Sequence, residues 1–260
     1  MDEYRYRRLW WYSNGKQTYS DQCIEFILTL KFVYHLPLRA VIGFVQSIFL
    51  MNSMVVSIPD YTTVSRRAKK IKVSLRKKKK DTVALLVDST GLKVYGEGEW
   101  KVRKHGVGYR RTWKKLHVGV DTDGEVRSVA MSHIHAHDVR YAESLILQET
   151  TPVTMFAGDG AYDSTALYQL LEARGVDEIL IPPQKNSIVS EKNHHRRNTI
   201  ITQGIDTWKK QSLYHQRSKA ETHMYRHKQL LSPYLDMRND QSQLNEIRIK
   251  CNILNKMLVI

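Results

Sequence analysis

Between residues 214 and 228 the chain reads YHQRSKAETHMYRHK, and its one acid, Glu221, stands among Arg217, Lys219, Arg226, Lys228 and three histidines. At about 100° per residue, a helix puts Tyr214, Arg217, Glu221 and Lys228 at roughly 0, −60, −20 and −40°, on one narrow face. The plain alternative is a solvated helix with an Arg–Glu pair at i, i+4; a one-sided stripe of Tyr, Arg, Glu and Lys fits a shared ligand better. Two further acids stand out by position: Asp88 in LLVDSTG and Asp159 in FAGDGAYD each close an apolar run. In α/β sheets, polar groups at the carboxyl ends of strands are where sites form. Gly158 and Gly160 flank Asp159 and allow a tight turn and close approach of a bulky ligand. Taken singly, either aspartate reads as a turn or cap residue. Taken together, three carboxylates from two strand ends and a helix make the oxygen donor set of a pair of Mg²⁺ ions, with Mn²⁺ able to substitute. Two such ions stabilise the attacking and leaving oxygens of an in-line phosphoryl displacement, and Arg217 and Lys228 would then meet the phosphodiester backbone.

The elements that must position these residues follow from the pattern around them. Thr82–Asp88 is a short β-branched apolar run, a buried strand. Trp113–Val120 is a second, Asp121-Thr-Asp-Gly124 supplies hairpin turn chemistry, and Glu125–Ile134 is a third. Asp138 can cap a helix through Gln148, Val153–Ala157 is a fourth strand, and Ser164 can cap a helix that ends near Gly175. Glu178–Ile181 is a fifth strand, stopped by Pro182-Pro183. Residues 186–205 are polar and irregular, and Asp206 opens a long helix that carries Glu221. The order β-β-β-α-β-α-β-α predicts an α/β fold: three antiparallel strands and two crossover strands in one mixed sheet with helices on both faces.

Ahead of this body the chain is basic. Residues 1–80 hold 16 Lys and Arg against 5 Asp and Glu, whereas residues 81–260 hold 25 against 21. An excess placed this way fits a polyanionic partner, most often nucleic acid. Cys23–Tyr34 after Ser20-Asp21, Leu38–Leu50 after Pro37, and Tyr61–Lys70 after Asp60 read as three short helices, the last carrying Arg66, Arg67, Lys69 and Lys70. They are compatible with a small helix-turn-helix-like DNA-binding region, as they are with any small helical domain. Arg76–Lys80, with four consecutive lysines, reads as a solvated linker or a phosphate-contacting arm and marks the expected boundary between a region 1–80 and a body 81–260. Residues 40–58 carry no charge over a length near that of a membrane span. Gln46, Asn52 and three serines interrupt them, which favours a buried helix. The amino terminus lacks the apolar core of a signal peptide, and two isolated cysteines suggest neither a disulfide framework nor a cysteine-based zinc site, as in a reducing cytosol.

Several residues invite over-reading. His133, His135 and His137 alternate as on a strand, where i, i+2 neighbours build a tetrahedral site poorly, so structural or DNA-proximal roles are preferred. Asp163 suits a helix start, Asp121 and Asp123 a turn, and the serine of DSTG lacks a Gly-x-Ser-x-Gly elbow. Arg110, Arg111, Lys114 and Lys115 suit the lining of a DNA channel, with Trp113 equally suited to channel or core.

With these residues in view, the chain resembles the DDE transposases of the insertion sequence 5 family. The likeness rests on VDSTGLKVYGEGEWKVRKHG, RRTWKKLHVGVD, GDGAYD and the spacing Tyr214-x2-Arg217-x3-Glu221-x6-Lys228. It is extended by YSDQCIEFILTLKFVYHLPLR, IPDYTTVSRR and LNKML. The resemblance implies a ribonuclease-H-like catalytic domain that hydrolyses the phosphodiester at each terminal inverted repeat of an insertion sequence. The freed 3′-hydroxyl ends would then be transferred to target DNA. It further implies Asp88, Asp159 and Glu221 as metal ligands, with Tyr214, Arg217 and Lys228 handling double-stranded DNA near the cut. A homodimer assembled on DNA, in the bacterial cytoplasm and at the nucleoid, is the implied working form. The alternative is an inactivated or repurposed transposase that binds DNA without cutting it.

Overall fold

A computed structural model describes residues 19–54, 56–94 and 113–258. The amino-terminal segment through residue 18, Arg110 and Arg111 lie outside the described residues. The body is one mixed sheet built from β1 (Val83–Val94), β2 (Trp113–Val120), β3 (Val126–His133), β4 (Val153–Ala157), β5 (Glu178–Leu180) and a short β6 (Tyr234–Leu235). The sheet runs β3-β2-β1-β4-β5, with β6 added to β1. The pairs β1–β2 and β2–β3 are antiparallel, and β1–β4, β4–β5 and β1–β6 are parallel.

Strand β1 is apolar on both faces because both faces are covered. Leu86 and Leu92 join Leu116, Val118 and Val120 beneath Ala220, Met224, Ile247 and Cys251 from helices α8 (Ser218–Leu231) and α9 (Asp240–Met257). Leu85 and Val87 face the other way, against Phe156 and residues of α4 (Val139–Leu147) and α5 (Thr165–Ala173).

Among the described residues three helices precede the sheet: α1 (Asp21–Val33), α2 (Leu38–Met51) and α3 (Tyr61–Arg67). The expected caps are in place, Ser20 accepting from the Cys23 amide at 3.0 Å and Asp60 from the Thr62 amide at 2.8 Å. No discrete helix-turn-helix module is resolved, however. The apolar core of these helices is completed by Ile249, Ile253 and Leu254 of α9, so they share a core with the last helix of the body. The uncharged run 40–58 folds into α2 and its exit, with Val41, Ile42 and Val45 buried; among the described residues no single helix is long and apolar enough to cross a membrane.

Four sequence-based expectations need correction. Asp88 does not close its strand: it is the sixth of twelve residues in β1, because Ser89–Lys93 keep pairing with β2 as far as Lys93↔Trp113. The basic run at 76–80 is solvated only in part. Its backbone is tied down by the Asn252 carboxamide on the Arg76 amide (2.8 Å) and the Glu125 carboxylate on the Lys78 amide (2.9 Å). Arg76 is paired with Glu25, Lys77 with Glu149, and Lys80 with Asp121 and Asp123, while Lys78 and Lys79 are exposed. The polar stretch 186–205 contains helix α6 (His195–Gln203), anchored by the buried Ile200. Beyond it, Gly204 sits at φ +87°, a conformation glycine reaches without a Cβ penalty. The long helix expected from Asp206 is broken in two, α7 (Ile205–Gln211) and α8, with a 3₁₀ turn at Leu213–Arg217 between them.

Candidate active site

Strand register brings the two aspartates together. Leu86 pairs with Ala157 in the parallel β1–β4 ladder, and Asp88 and Asp159 each lie two residues further on. Side chains alternate with a period of two, so Asp88 points to the face of Leu86, the one covered by α8 and α9, and Asp159, just past the end of β4, lies close enough to act on it. Strand β4 stops at Ala157, and β6 pairs with β1 only from Lys93. Asp88 sits in the gap between them.

Asp159 opens a 3₁₀ turn, Gly160–Tyr162, and its Oδ1 accepts the Ala161 amide at 2.9 Å, which fixes the carboxylate's orientation. Gly158 is demanded by packing: a Cβ there would meet the Tyr162 ring at 2.8 Å and a Val87 methyl at 3.0 Å. The expected tight turn is present at Gly160–Tyr162, but neither Gly158 nor Gly160 has a positive φ, so close approach of a ring, and not backbone freedom, calls for Gly158.

The third acid arrives on α8. The buried stripe of this helix is Ala220, His223, Met224, His227 and Leu231, which seats it on the sheet and leaves Glu221 at the rim of the first turn. Arg217 forms ion pairs with Glu221 and, at 3.8 Å, with Asp88. The α-helical spacing expected for Tyr214 and Arg217 does not apply, since these residues lie in the 3₁₀ turn. At three residues per turn, i and i+3 eclipse, and Arg217 stands over the Tyr214 ring at 5.8 Å. The alignment therefore holds through a different geometry.

The electrostatics bind these residues into one site. Burial pushes the Asp88 carboxyl above its usual range, and Asp159 and Glu221 push it in the same direction, opposed by the Ser89 amide and Arg217. Burial likewise raises the Tyr214 phenol, with Asp159 and Glu221 adding to it and Arg217 opposing. Burial disfavours the charge on Arg217, but Tyr214, Glu221, Asp88 and Asp159 outweigh it and hold the guanidinium ionised. Among the described residues three carboxylates thus face one cation, a surplus of negative charge on oxygen donors. That is the chemistry a hard divalent cation requires. The three carboxylates do not by themselves bring one oxygen each within 4.8 Å of both others, and Arg217 stands among them.

Other expected residues go elsewhere. Lys228 is half-buried two turns along α8 from Glu221, on the same side of the helix. Lys114 is buried and paired with Asp240 at 2.9 Å; Lys115 is bonded to Asp138 and the Ala136 carbonyl. Both lysines therefore have structural partners, and Asp138 serves Lys115 rather than capping α4. Trp113 is half-buried beside Gly91, with Lys93 over its ring at 5.5 Å. Arg66 is exposed near the end of α3, whereas Arg67 binds Asp21 and the Tyr19 carbonyl. Asp163 is paired with Arg197 at 2.8 Å. His133 ends β3, and His135 and His137 lie beyond it in an exposed turn. A cleft lined by Lys114, Met131, His133, Tyr141 and Arg248 lies apart from the three acids.

Sequence reasoning missed Tyr162, whose buried ring packs under Gly158; burial raises its phenol, and Asp138, Asp159 and Asp88 add to that. It also missed His223, His227 and Cys251, whose ligating atoms cluster beneath Glu221's helix. The His-x₃-His spacing was a visible signal; the partner Cys251 comes from a different helix and was not.

A mixed sheet flanked by helices, gathering acids from a central strand, the exit of its parallel neighbour and a covering helix, is consistent with a ribonuclease-H-like core. A family model described as "Transposase DDE domain" matches residues 79–256, and a second of the same description matches residues 11–97. The chain belongs to the DDE transposases, a family whose activity is DNA cleavage and strand transfer.

Proposed function

We propose that this protein is a metal-dependent transposase of the insertion sequence 5 kind. It would cut double-stranded DNA at the terminal inverted repeats of its element and transfer the 3′-hydroxyl ends to target DNA. The observation that carries this reading is the convergence of Asp88, Asp159 and Glu221 around Arg217. These three carboxylates would hold two Mg²⁺ ions, or Mn²⁺ in their place, which when bound supply charge stabilisation for the attacking and leaving oxygens. The Ala161 amide holds Asp159 in one orientation. Arg217, gripped by Glu221 and stacked on Tyr214, is placed to donate to a phosphate oxygen at the rim of the site. Lys228 extends this basic face along α8, and exposed Arg66 offers a further backbone contact on α3. Joining two element ends to one target calls for a homodimer assembled on DNA.

The purified protein with Mg²⁺ is expected to nick a duplex bearing the DNA that flanks its coding region, and to join the new 3′ end to a plasmid. Asp88→Asn, Asp159→Asn and Glu221→Gln should each reduce cutting by about 10³-fold or more, as loss of a dominant electrostatic element does. DNA binding should survive and weaken steeply with salt. Retention of cutting by these variants would refute the site; binding without cutting by the parent would favour the non-catalytic alternative.

A further inference from the structure

Behind Glu221, facing the core, α8 and α9 enclose a second cluster. His223 and His227 lie one turn apart on α8, and Cys251 comes from α9; one ligand atom from each lies within 4.8 Å of the others. All three are buried, His227 and Cys251 completely and His223 to 4% exposure. Neither ring nitrogen of His227 has a hydrogen-bond partner, nor does Nε2 of His223, and the Cys251 thiol is free. Cys251 packs in one apolar cluster with Ala220, Met224 and Ile247, and the buried Lys250 lies close enough to act on His227. An imidazole needs partners for a donor and an acceptor, and leaving both unmet in an apolar core costs free energy that folded proteins ordinarily avoid. One nitrogen from each ring, converging with the Cys251 sulfur, makes a candidate ligand set rather than a packing accident.

We infer that His223, His227 and Cys251 form a binding site for a thiophilic d¹⁰ cation, Zn²⁺ or Cu⁺, which clamps α8 to α9. Two imidazole nitrogens and a thiolate suit such ions and not Mg²⁺, which selects oxygen. On binding, the thiol proton leaves to solvent and a metal–sulfur bond replaces the S–H bond; no electron is transferred. The charged groups facing the site bear on which ion fits. Lys250 is paired with Glu246 at 2.8 Å and donates to the Tyr234 carbonyl, while Arg226 and Lys228 contribute uncompensated positive potential. One thiolate balances Cu⁺ completely and Zn²⁺ only in part. The other three-ligand group, Glu172 with His194 and His195, differs in being partly exposed, and its carboxylate is already engaged by His194 and Arg196. The buried clamp sits two residues from Glu221 along the same helix, so it would also fix the rim from which that acid projects.

The full-length protein, purified without chelator, is the sample for the test. It should take up about one Zn²⁺ per chain, or one Cu⁺ in an anaerobic competition against a chromogenic chelator, and the two titrations separate the ions. Substituted Co²⁺ should give the near-ultraviolet thiolate-to-cobalt band, which ions held by Asp88, Asp159 and Glu221 cannot give. Cys251→Ser should abolish that band and weaken binding at least tenfold, and His227→Gln should weaken it comparably. Failure of the folded parent to bind either ion, or Co²⁺ uptake without a thiolate band, would overturn the inference. That readout requires no variant to fold and no DNA cleavage, so it stands apart from the fate of the transposase reading.

Discussion

Glu125 and Glu149 meet Arg127 and Lys77 in one carboxylate cluster, whereas among the described residues Asp88, Asp159 and Glu221 gather around Arg217 in the other. In the first, two acids face two bases. Arg127 is fully buried, bonded to Glu149 at 2.8 Å, Glu125 at 2.9 Å and the Lys78 carbonyl at 2.8 Å. Burial would raise the Glu149 carboxyl, but the Arg127 and Thr151 hydrogen bonds and Lys77 outweigh it and draw it down to about 2. In the second cluster the balance is reversed: burial and two neighbouring acids push Asp88 up, and one arginine does not offset them. The first network is closed and close to neutral; the second carries an excess of carboxylate at the protein's rim, and an excess of that kind is what a site for a cationic ligand would need, which is the reading proposed above.

The strongest way to break this comparison is to unbalance the closed cluster. Arg127→Met leaves Glu149 and Glu125 buried without their main partner and should destabilise the fold by about 3–5 kcal/mol, measured by urea unfolding. A loss below ~1 kcal/mol would mean that the network is ornamental. The two clusters should also respond oppositely to pH. Glu149, depressed in the folded state, stabilises above its unfolded pKa, and that stability is lost as pH falls from about 4.5 toward about 2. Asp88, raised in the folded state, favours folding below its unfolded pKa and loses that contribution as pH rises through its folded pKa. In the parent, acid unfolding should therefore steepen below about pH 4.5, and Glu149→Gln should flatten it.

A smaller effect sharpens the other side. Asp88→Asn removes one of three crowded carboxylates and should raise the melting temperature in the absence of divalent ions by about 2–4 °C, the scale of ~1 kcal/mol for a chain of this size. The same substitution is the one expected to abolish cutting. A residue whose removal stabilises the fold and ends the activity is placed by function rather than by folding.

How much of this could be read from the sequence differs by level. The strands β2 and β4 and the caps at Ser20 and Asp60 were legible because local chemistry decides them: alternation or apolar runs, and a side-chain oxygen before a helix. The length of β1 was not, because Ser89-Thr-Gly91 looks like a loop until β2 pairs with it. The break at Ser212 was hidden for a related reason, since a 3₁₀ turn and an α-helix carry the same polar residues. Tyr214 and Arg217 survived the mistake only because three residues close a 3₁₀ turn. The pairing of Arg76, Lys77 and Lys80 is not legible in sequence because their acids, Glu25, Glu149 and Asp121, are remote along the chain. Asp88, Asp159 and Glu221 were nameable as candidates, but their meeting depends on a parallel register and a helix seat that only the fold supplies.

The central claim is that the unbalanced cluster, and not the balanced one, is a divalent-cation site. Mn²⁺ binding in the presence of duplex DNA, followed by electron paramagnetic resonance of the free ion, compares the two directly. The parent and Glu125→Gln should bind Mn²⁺ alike, with Mg²⁺ competing, while Asp88→Asn, Asp159→Asn and Glu221→Gln should each lose most of that binding. Equal Mn²⁺ uptake by the parent and all three acid variants would contradict the account.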